Sequence, residues 1–173
     1  MAFRQMARES EVFEVEWPEP FAVRSWADAD TEEIAEFLLG TGSKAFADLW
    51  ECADGSSASA RNYVTRTRDY MRARPDAALG DAVSSLVSDN STGRLVGLCL
   101  CCGPSVYHTE VHPDYQRRGI ATCMLKRALT VCAERGVPRL DLWRNDDSMG
   151  RPVYERLGFA LTGAVEGEDE ETD

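Results

Sequence analysis

The chain has 173 residues, 43% hydrophobic and 28% charged, enough for one soluble domain with a sizeable core and no need of disulfide or metal staples. No apolar run approaches the ~18 residues of a membrane span, and Arg4 and Arg8 near the N-terminus have no apolar segment behind them; neither a membrane anchor nor a secretory signal is expected, and the expected location is cytoplasmic. The formal charge of −11 falls to −5 once the six acids between Glu166 and Asp173 are set aside, which argues against nucleic acid as a partner and is compatible with a cationic substrate.

In chain order, Val12-Phe13-Glu14-Val15-Glu16-Trp17 is rich in strand formers, ends at Pro18 and reads as a strand, and Phe21 to Arg24 reads as a second. Asp28 or Asp30 is placed to cap a helix whose Ile34, Phe37 and Leu38 recur at helical spacing, with Gly40 as its stop. Ala45 to Arg74 is predicted helical with a break around Asp54 to Ser57. Asp81 to Ser88 and Arg94 to Cys102 read as strands joined by the turn Asn90-Ser91-Thr92-Gly93. Ser105 to Val111 is a further strand, Gly119 to Arg135 a helix, and Arg139 to Trp143 the strand after it. Asp146 or Asp147 is placed to cap a last helix through Leu157, and Phe159 to Val165 closes the series as a strand. Antiparallel strands first and alternating strands and helices afterwards predict a mixed α/β sheet.

Six cysteines, at 52, 99, 101, 102, 123 and 132, have no histidines at zinc-finger spacing, so no metal is expected. Those at 99, 101 and 102 lie in an apolar run, where a free thiol behaves as a small buried hydrophobe.

The chemistry concentrates in Val111-His112-Pro113 and Gln116-Arg117-Arg118-Gly119-Ile120-Ala121. Pro113 ends the strand, while Gly119 and Ala121 leave the start of the next helix uncovered by side chains. Backbone N–H groups there are free to meet an anion, the helix dipole favours negative charge, and Arg117 and Arg118 add cations. The pattern is neither a nucleotide-triphosphate loop nor a dinucleotide fingerprint. It resembles motif A of the GNAT superfamily, the GCN5-related N-acetyltransferases, whose pattern is Q/R-x-x-G-x-G/A after a strand ending V-x-P. Downstream, Tyr154-Glu155-Arg156-Leu157-Gly158-Phe159 resembles the Y-E-x-L-G-F signature of the same family.

The resemblance implies a GNAT fold: a mixed, mostly antiparallel twisted sheet with a splayed central strand pair and about four helices, and acetyl-CoA as cosubstrate lying between the splayed strands. It implies one acyl-CoA N-acyltransferase domain over 1–165, with an N-terminal extension at 1–20 and an acidic, disordered tail at 166–173. By the same resemblance Thr109, Glu110 and Val111 would meet the pantetheine arm, and Gln116, Arg117, Arg118, Gly119, Ile120 and Ala121 would hold the pyrophosphate, with a hydroxyl from Thr122. Asp147 falls where the family often has an asparagine that reaches the cofactor. An ionised aspartate cannot donate that bond, and a helix N-cap is its other role.

The implied reaction is direct attack of a neutral amine on the thioester, which needs a base, a carbonyl-polarising donor and an acid for the departing thiolate. Tyr154 matches the family's acid. The base is open among Glu110, His108, Asp141 and a water chain. Strand alternation puts His108, Glu110 and His112 on one face and Tyr107, Thr109 and Val111 on the other. Trp50, Tyr63, Tyr70 and Met71 are candidates for an acceptor pocket, and the arginines at 61, 66, 68, 72 and 74 read as a solvated helix face. The expected acceptor is a primary amine on a small molecule; a protein or peptide amine, and an acyl-CoA-binding module without turnover, are the alternatives. Most family members continue past the last strand into another, whereas acids follow Val165 here. Val12 to Trp17, from this chain or from the second copy in a homodimer, is expected to cover the edge so exposed.

Overall fold

The computed structural model describes residues 3–27, 30–42, 56–145 and 148–166. Seven strands form one sheet: β1 (Phe3–Glu9), β2 (Phe21–Arg24), β3 (Ser85–Asp89), β4 (Arg94–Cys102), β5 (Ser105–Val111), β6 (Arg139–Asn145) and β7 (Ala160–Glu166). Their spatial order is β2-β3-β4-β5-β6-β1-β7. Every neighbouring pair is antiparallel except β5 and β6. Among the described residues the helices are α1 (Thr31–Thr41), α2 (Ser57–Arg72), α3 (Ala77–Val83), α4 (Ile120–Glu134) and α5 (Arg151–Arg156). No described helix is long and apolar enough to cross a membrane.

The sheet separates two apolar layers. On one face α1 and α2 pack Ile34, Leu38, Tyr63 and Val64 against Leu86, Leu98 and Leu100. On the other, α4 packs Ile120, Met124, Leu125 and Leu129 against Val87, Val96, Cys99 and Leu142. Each such fully buried aliphatic side chain contributes about 1.5–3 kcal/mol of transfer free energy. The α4 layer sits close because Gly97 has no side chain: a Cβ there would lie 3.0 Å from the Ile120 side chain. Gly80 does the same for α3, since a Cβ there would lie 2.7 Å from the Cys101 carbonyl oxygen.

Three readings of local pattern are corrected. The segment 81–83 belongs to α3, and the strand starts only at Ser85; the Ser84 hydroxyl donates to the Gly80 carbonyl at 2.7 Å and accepts from the Cys101 N–H at 2.8 Å, closing the helix onto β4. Gly40 lies inside α1, which ends at Thr41 and is capped by Gly42 in the left-handed conformation. Arg68 is not solvated but buried at 5% exposure, with its guanidinium donating to the Ala27 carbonyl at 2.6 Å and to the Thr31 hydroxyl and lying 4.7 Å from the Trp26 ring centroid.

The largest correction concerns the N-terminal segment. Val12 to Trp17 forms no strand and pairs with no sheet edge. Instead residues 10–18 run as a strap over α4: the Phe13 N–H donates to Thr130 Oγ1 at 3.0 Å, and Phe13 and Trp17 pack against the α4-side core. The strand is β1, whose only buried side chain is Met6. It lies inside the sheet between β6 and β7, matched to β6 residue for residue from Phe3↔Asn145 to Glu9↔Arg139. Its β7 ladder is interrupted between Arg4 and Met6, where Gly163 adopts φ 89° and Thr162 Oγ1 hydrogen-bonds to Gln5 Oε1 at 2.8 Å. Because β1 is antiparallel to both neighbours, β6 and β7 run parallel to each other and are joined in the sheet through it.

Candidate active site

The site begins where β5 leaves β6. These parallel strands pair only at Ser105↔Asp141 and Val106↔Leu142. Beyond that point β5 runs on from residue 107 to 111, and β6 from 143 to 145, without partners in each other. The cause lies in the ladder between β4 and β5: Leu100 faces His108 but Cys101 faces Val106, so Tyr107 is an extra, bulged residue. A bulge bends its strand and strengthens the twist, which carries the upper half of β5 away from β6.

The bulge also changes which side chains share a face. Strict alternation separates Tyr107 from His108, but here both turn to the α2 side. Tyr107 lies 6.0 Å from the Tyr70 ring, and His108 Nδ1 is 2.8 Å from the Tyr63 hydroxyl. Past the bulge, alternation resumes. The His112 N–H donates to the Val96 carbonyl at 2.9 Å, so the residues in step with it direct their backbone groups to β4, while those of Thr109 and Val111 face the split. The Gln116 side chain reaches back to donate to the Val111 carbonyl at 3.2 Å.

After His112 a 3-10 turn, Pro113–Tyr115, leads into the glycine segment. Arg117 has φ 62° and Gly119 φ 84°, two left-handed residues in a short exposed stretch. Alternating hands of this kind turn successive N–H groups into a concave cradle for an anion. The first bond inside α4 runs from the Cys123 N–H to the Gly119 carbonyl at 3.0 Å, so the N–H groups of Ile120, Ala121 and Thr122 have no partner within the helix. Ile120, at 1% exposure, anchors this helix end on β4. The Arg118 guanidinium lies 5.2 Å from the Tyr115 ring centroid and Arg117 is exposed, so both cations stand at the mouth of the cradle.

The far wall comes from α5. The Tyr154 ring meets Phe159 edge-on at 6.2 Å, and its hydroxyl folds back over Gly150, where a Cβ would lie 2.5 Å from the phenol oxygen. Burial first, and then Cys99 and Glu110, push the phenol up to about 12, against a lowering effect of Arg144. Those three neighbours belong to β4, β5 and β6. Glu110 is partly covered, at 17% side-chain exposure, with Oε2 3.4 Å from His108 Nε2. Tyr154 on α5 and Glu110 on β5 thus feel each other's charge. Asp141 lies apart: it pairs with Ser105 at the closed end, roughly 16 Å down the strand from Glu110.

Thr122 lies in the first turn of α4, and its backbone belongs to the cradle. Asp147 and Trp50 fall outside the described residues; α5 has Gly150 at its N-cap. Of the other acceptor candidates, Met71 and Tyr63 are buried at 3% exposure and Tyr70 is exposed. Arg144, buried beside Tyr154 with its Nε 3.2 Å from Met6 Sδ, was not legible in the sequence, nor was the pairing of Tyr63 with His108 across 45 residues. Among the described residues no group of three or more histidines, cysteines or carboxylates is arranged to hold a metal ion. The Cys99 and Cys101 thiols lie 3.8 Å apart in the core, and burial helped by Asp141 pushes Cys132 up to about 11.

A mostly antiparallel sheet that opens beside its single parallel contact, with helix N–H groups lacking an intrahelical partner at the mouth, defines an α/β protein with a cleft between two strands. The profile of the Acetyltransferase (GNAT) family matches residues 44–159, and the chain belongs to that family. It is 42% identical over 60 residues to an acetyltransferase of Stachybotrys chartarum, covering 35% of this chain and 25% of that protein. It is 34% identical over 62 residues to an acetyltransferase of Sodalis glossinidius, covering 35% of this chain and 44% of that one. The matched segment thus spans less than half the length of either relative. The fold is similar to a GCN5-related N-acetyltransferase from Sphaerobacter thermophilus (TM-score 0.65, 19% identity, 92% of this chain and 48% of that one). It is also similar to the PaiA N-acetyltransferase from Thermoplasma acidophilum in complex with coenzyme A (TM-score 0.55, 16% identity, 81% of this chain and 89% of that one).

Proposed function

We propose that the chain is an N-acetyltransferase that moves an acetyl group from acetyl-CoA to a primary amine of a small molecule by direct attack. The observation that carries this reading is the split itself, where β5 parts from β6 after Val106 and leaves Thr109 and Val111 without a strand partner on that side, next to the start of α4. The residues fit acyl-CoA. Thr109 and Val111 offer backbone groups to the amides of a pantetheine arm, and Gln116 to Thr122, with Arg117 and Arg118, offer N–H groups and cations to a pyrophosphate. Bound there, acetyl-CoA supplies an activated thioester.

Each residue then has a task. Glu110 takes the proton of the attacking amine, directly or through one water. Tyr154 gives its proton to the departing thiolate, and its desolvated phenol is protonated throughout the neutral range, as a general acid must be. The acidic body of the protein draws cationic amines toward the site.

The test is release of free thiol from acetyl-CoA across a panel of small amines and peptides. Turnover on small amines supports the reading, and turnover on peptides alone moves the acceptor to protein. Coenzyme A binding without turnover on any amine would make the chain an acyl-CoA-binding module.

A further inference from the structure

Tyr63 of α2, His108 and Glu110 form one line through the α2 face of the sheet. The Tyr63 hydroxyl is 2.8 Å from His108 Nδ1, with the rings edge-on at 6.0 Å between centroids and 72° between planes. On the other side of the imidazole, Nε2 lies 3.4 Å from Glu110 Oε2. Tyr63 is 3% exposed and His108 8%, so water has little access to either ring nitrogen.

The chemistry of the two partners decides the tautomer. An ionised carboxylate accepts and cannot donate, whereas a phenol does both. In the neutral ring the proton therefore belongs on Nε2, facing Glu110, and Nδ1 accepts from the Tyr63 hydroxyl. The opposite tautomer would aim the Nε2 lone pair at the carboxylate.

Resting on the reading of Glu110 as the base, we infer that Tyr63 and His108 are positioning residues for it. The Glu110 carboxylate selects the Nε2–H tautomer of His108, Tyr63 donates to Nδ1 and so anchors the ring, and the Nε2–H in turn holds the Glu110 carboxylate in place while His108 keeps no free lone pair with which to take the amine proton. The bulge at Tyr107 makes this possible, because it turns His108 toward α2. The base is then Glu110 rather than His108.

Long-range ¹H–¹⁵N correlation spectra of the full chain read the tautomer directly, and the sequence has only two histidines, so His112→Asn assigns the remaining signals to His108. The expected result is the Nε2–H tautomer in the wild-type protein. In Tyr63→Phe the ring should keep the Nε2–H tautomer, the Nδ1 ¹⁵N signal should shift as that nitrogen loses its donor, and kcat should fall by about tenfold, the scale of one lost hydrogen bond, with KM for acetyl-CoA within about twofold. A wild-type Nδ1–H tautomer overturns the inference without any variant. So does a Tyr63→Phe protein whose Nδ1 signal and kcat both stay unchanged. Glu110→Gln separates this from the underlying reading: unchanged kcat in that variant removes Glu110 as base and with it the positioning role, whatever the tautomer.

Discussion

The strand β6 has two very different edges. Along one, β1 matches it from end to end and carries β7 on its far side; along the other, β5 touches it at two residue pairs and then departs. The closed edge holds the sheet together, since β6 and β7 have no other connection through the ladder. The open edge leaves the backbone of β5 beyond Val106 without a strand partner on that side. A protein can keep hydrogen-bonding groups available to a ligand at one junction only if the neighbouring junction is secured, and here the security is supplied by a segment distant in sequence.

That contrast predicts separable effects. At the closed edge, Met6→Ala removes the only buried side chain of β1 and should cost about 2–5 kcal/mol, lowering Tm by roughly 2–4 °C per kcal/mol in a thermal melt. At the open edge, Tyr154→Phe should lower kcat about 100-fold or more while leaving Tm and coenzyme A affinity near wild type; an unchanged kcat would remove Tyr154 as the acid. Gly119→Ala places a Cβ in open space, so its cost is the left-handed backbone alone, about 1–3 kcal/mol, and calorimetry should find it as weaker coenzyme A binding. The smallest effect concerns pH. A phenol raised from its ordinary value near 10 to about 12 keeps its proton as pH climbs through that range, so kcat/KM should show no alkaline limb from Tyr154 below about pH 11.

The two edges also differed in how legible they were. The glycine segment and the tyrosine signature are local: a strand end, a left-handed glycine and a helix start lie within a few residues, so Gln116 to Ala121 and Tyr154 could be named from the chain alone. The N-terminal strand was not local. Phe3 to Glu9 holds mostly polar residues, because its place is fixed by backbone pairing on both sides rather than by an apolar face, and its partners on β6 lie 130 to 142 residues away. Val12 to Trp17 has the better alternating pattern, yet Phe13 and Trp17 spend their apolar surface on α4. Alternation failed within β5 for a related reason. A bulge is set by the register with β4, and nothing in Ser105 to Val111 announces that Tyr107 is the extra residue.

The proposed placement puts acyl-CoA along the open edge of β5 and on the start of α4, with β1 serving only to hold the sheet together. Amide hydrogen exchange followed residue by residue, with and without coenzyme A, distinguishes these surfaces. That placement predicts slower exchange on ligand binding at Thr109, Val111, Ala121 and Thr122 and no change at the amides of β1. Unaltered exchange at those four positions under saturating coenzyme A, with protection appearing elsewhere, would contradict it.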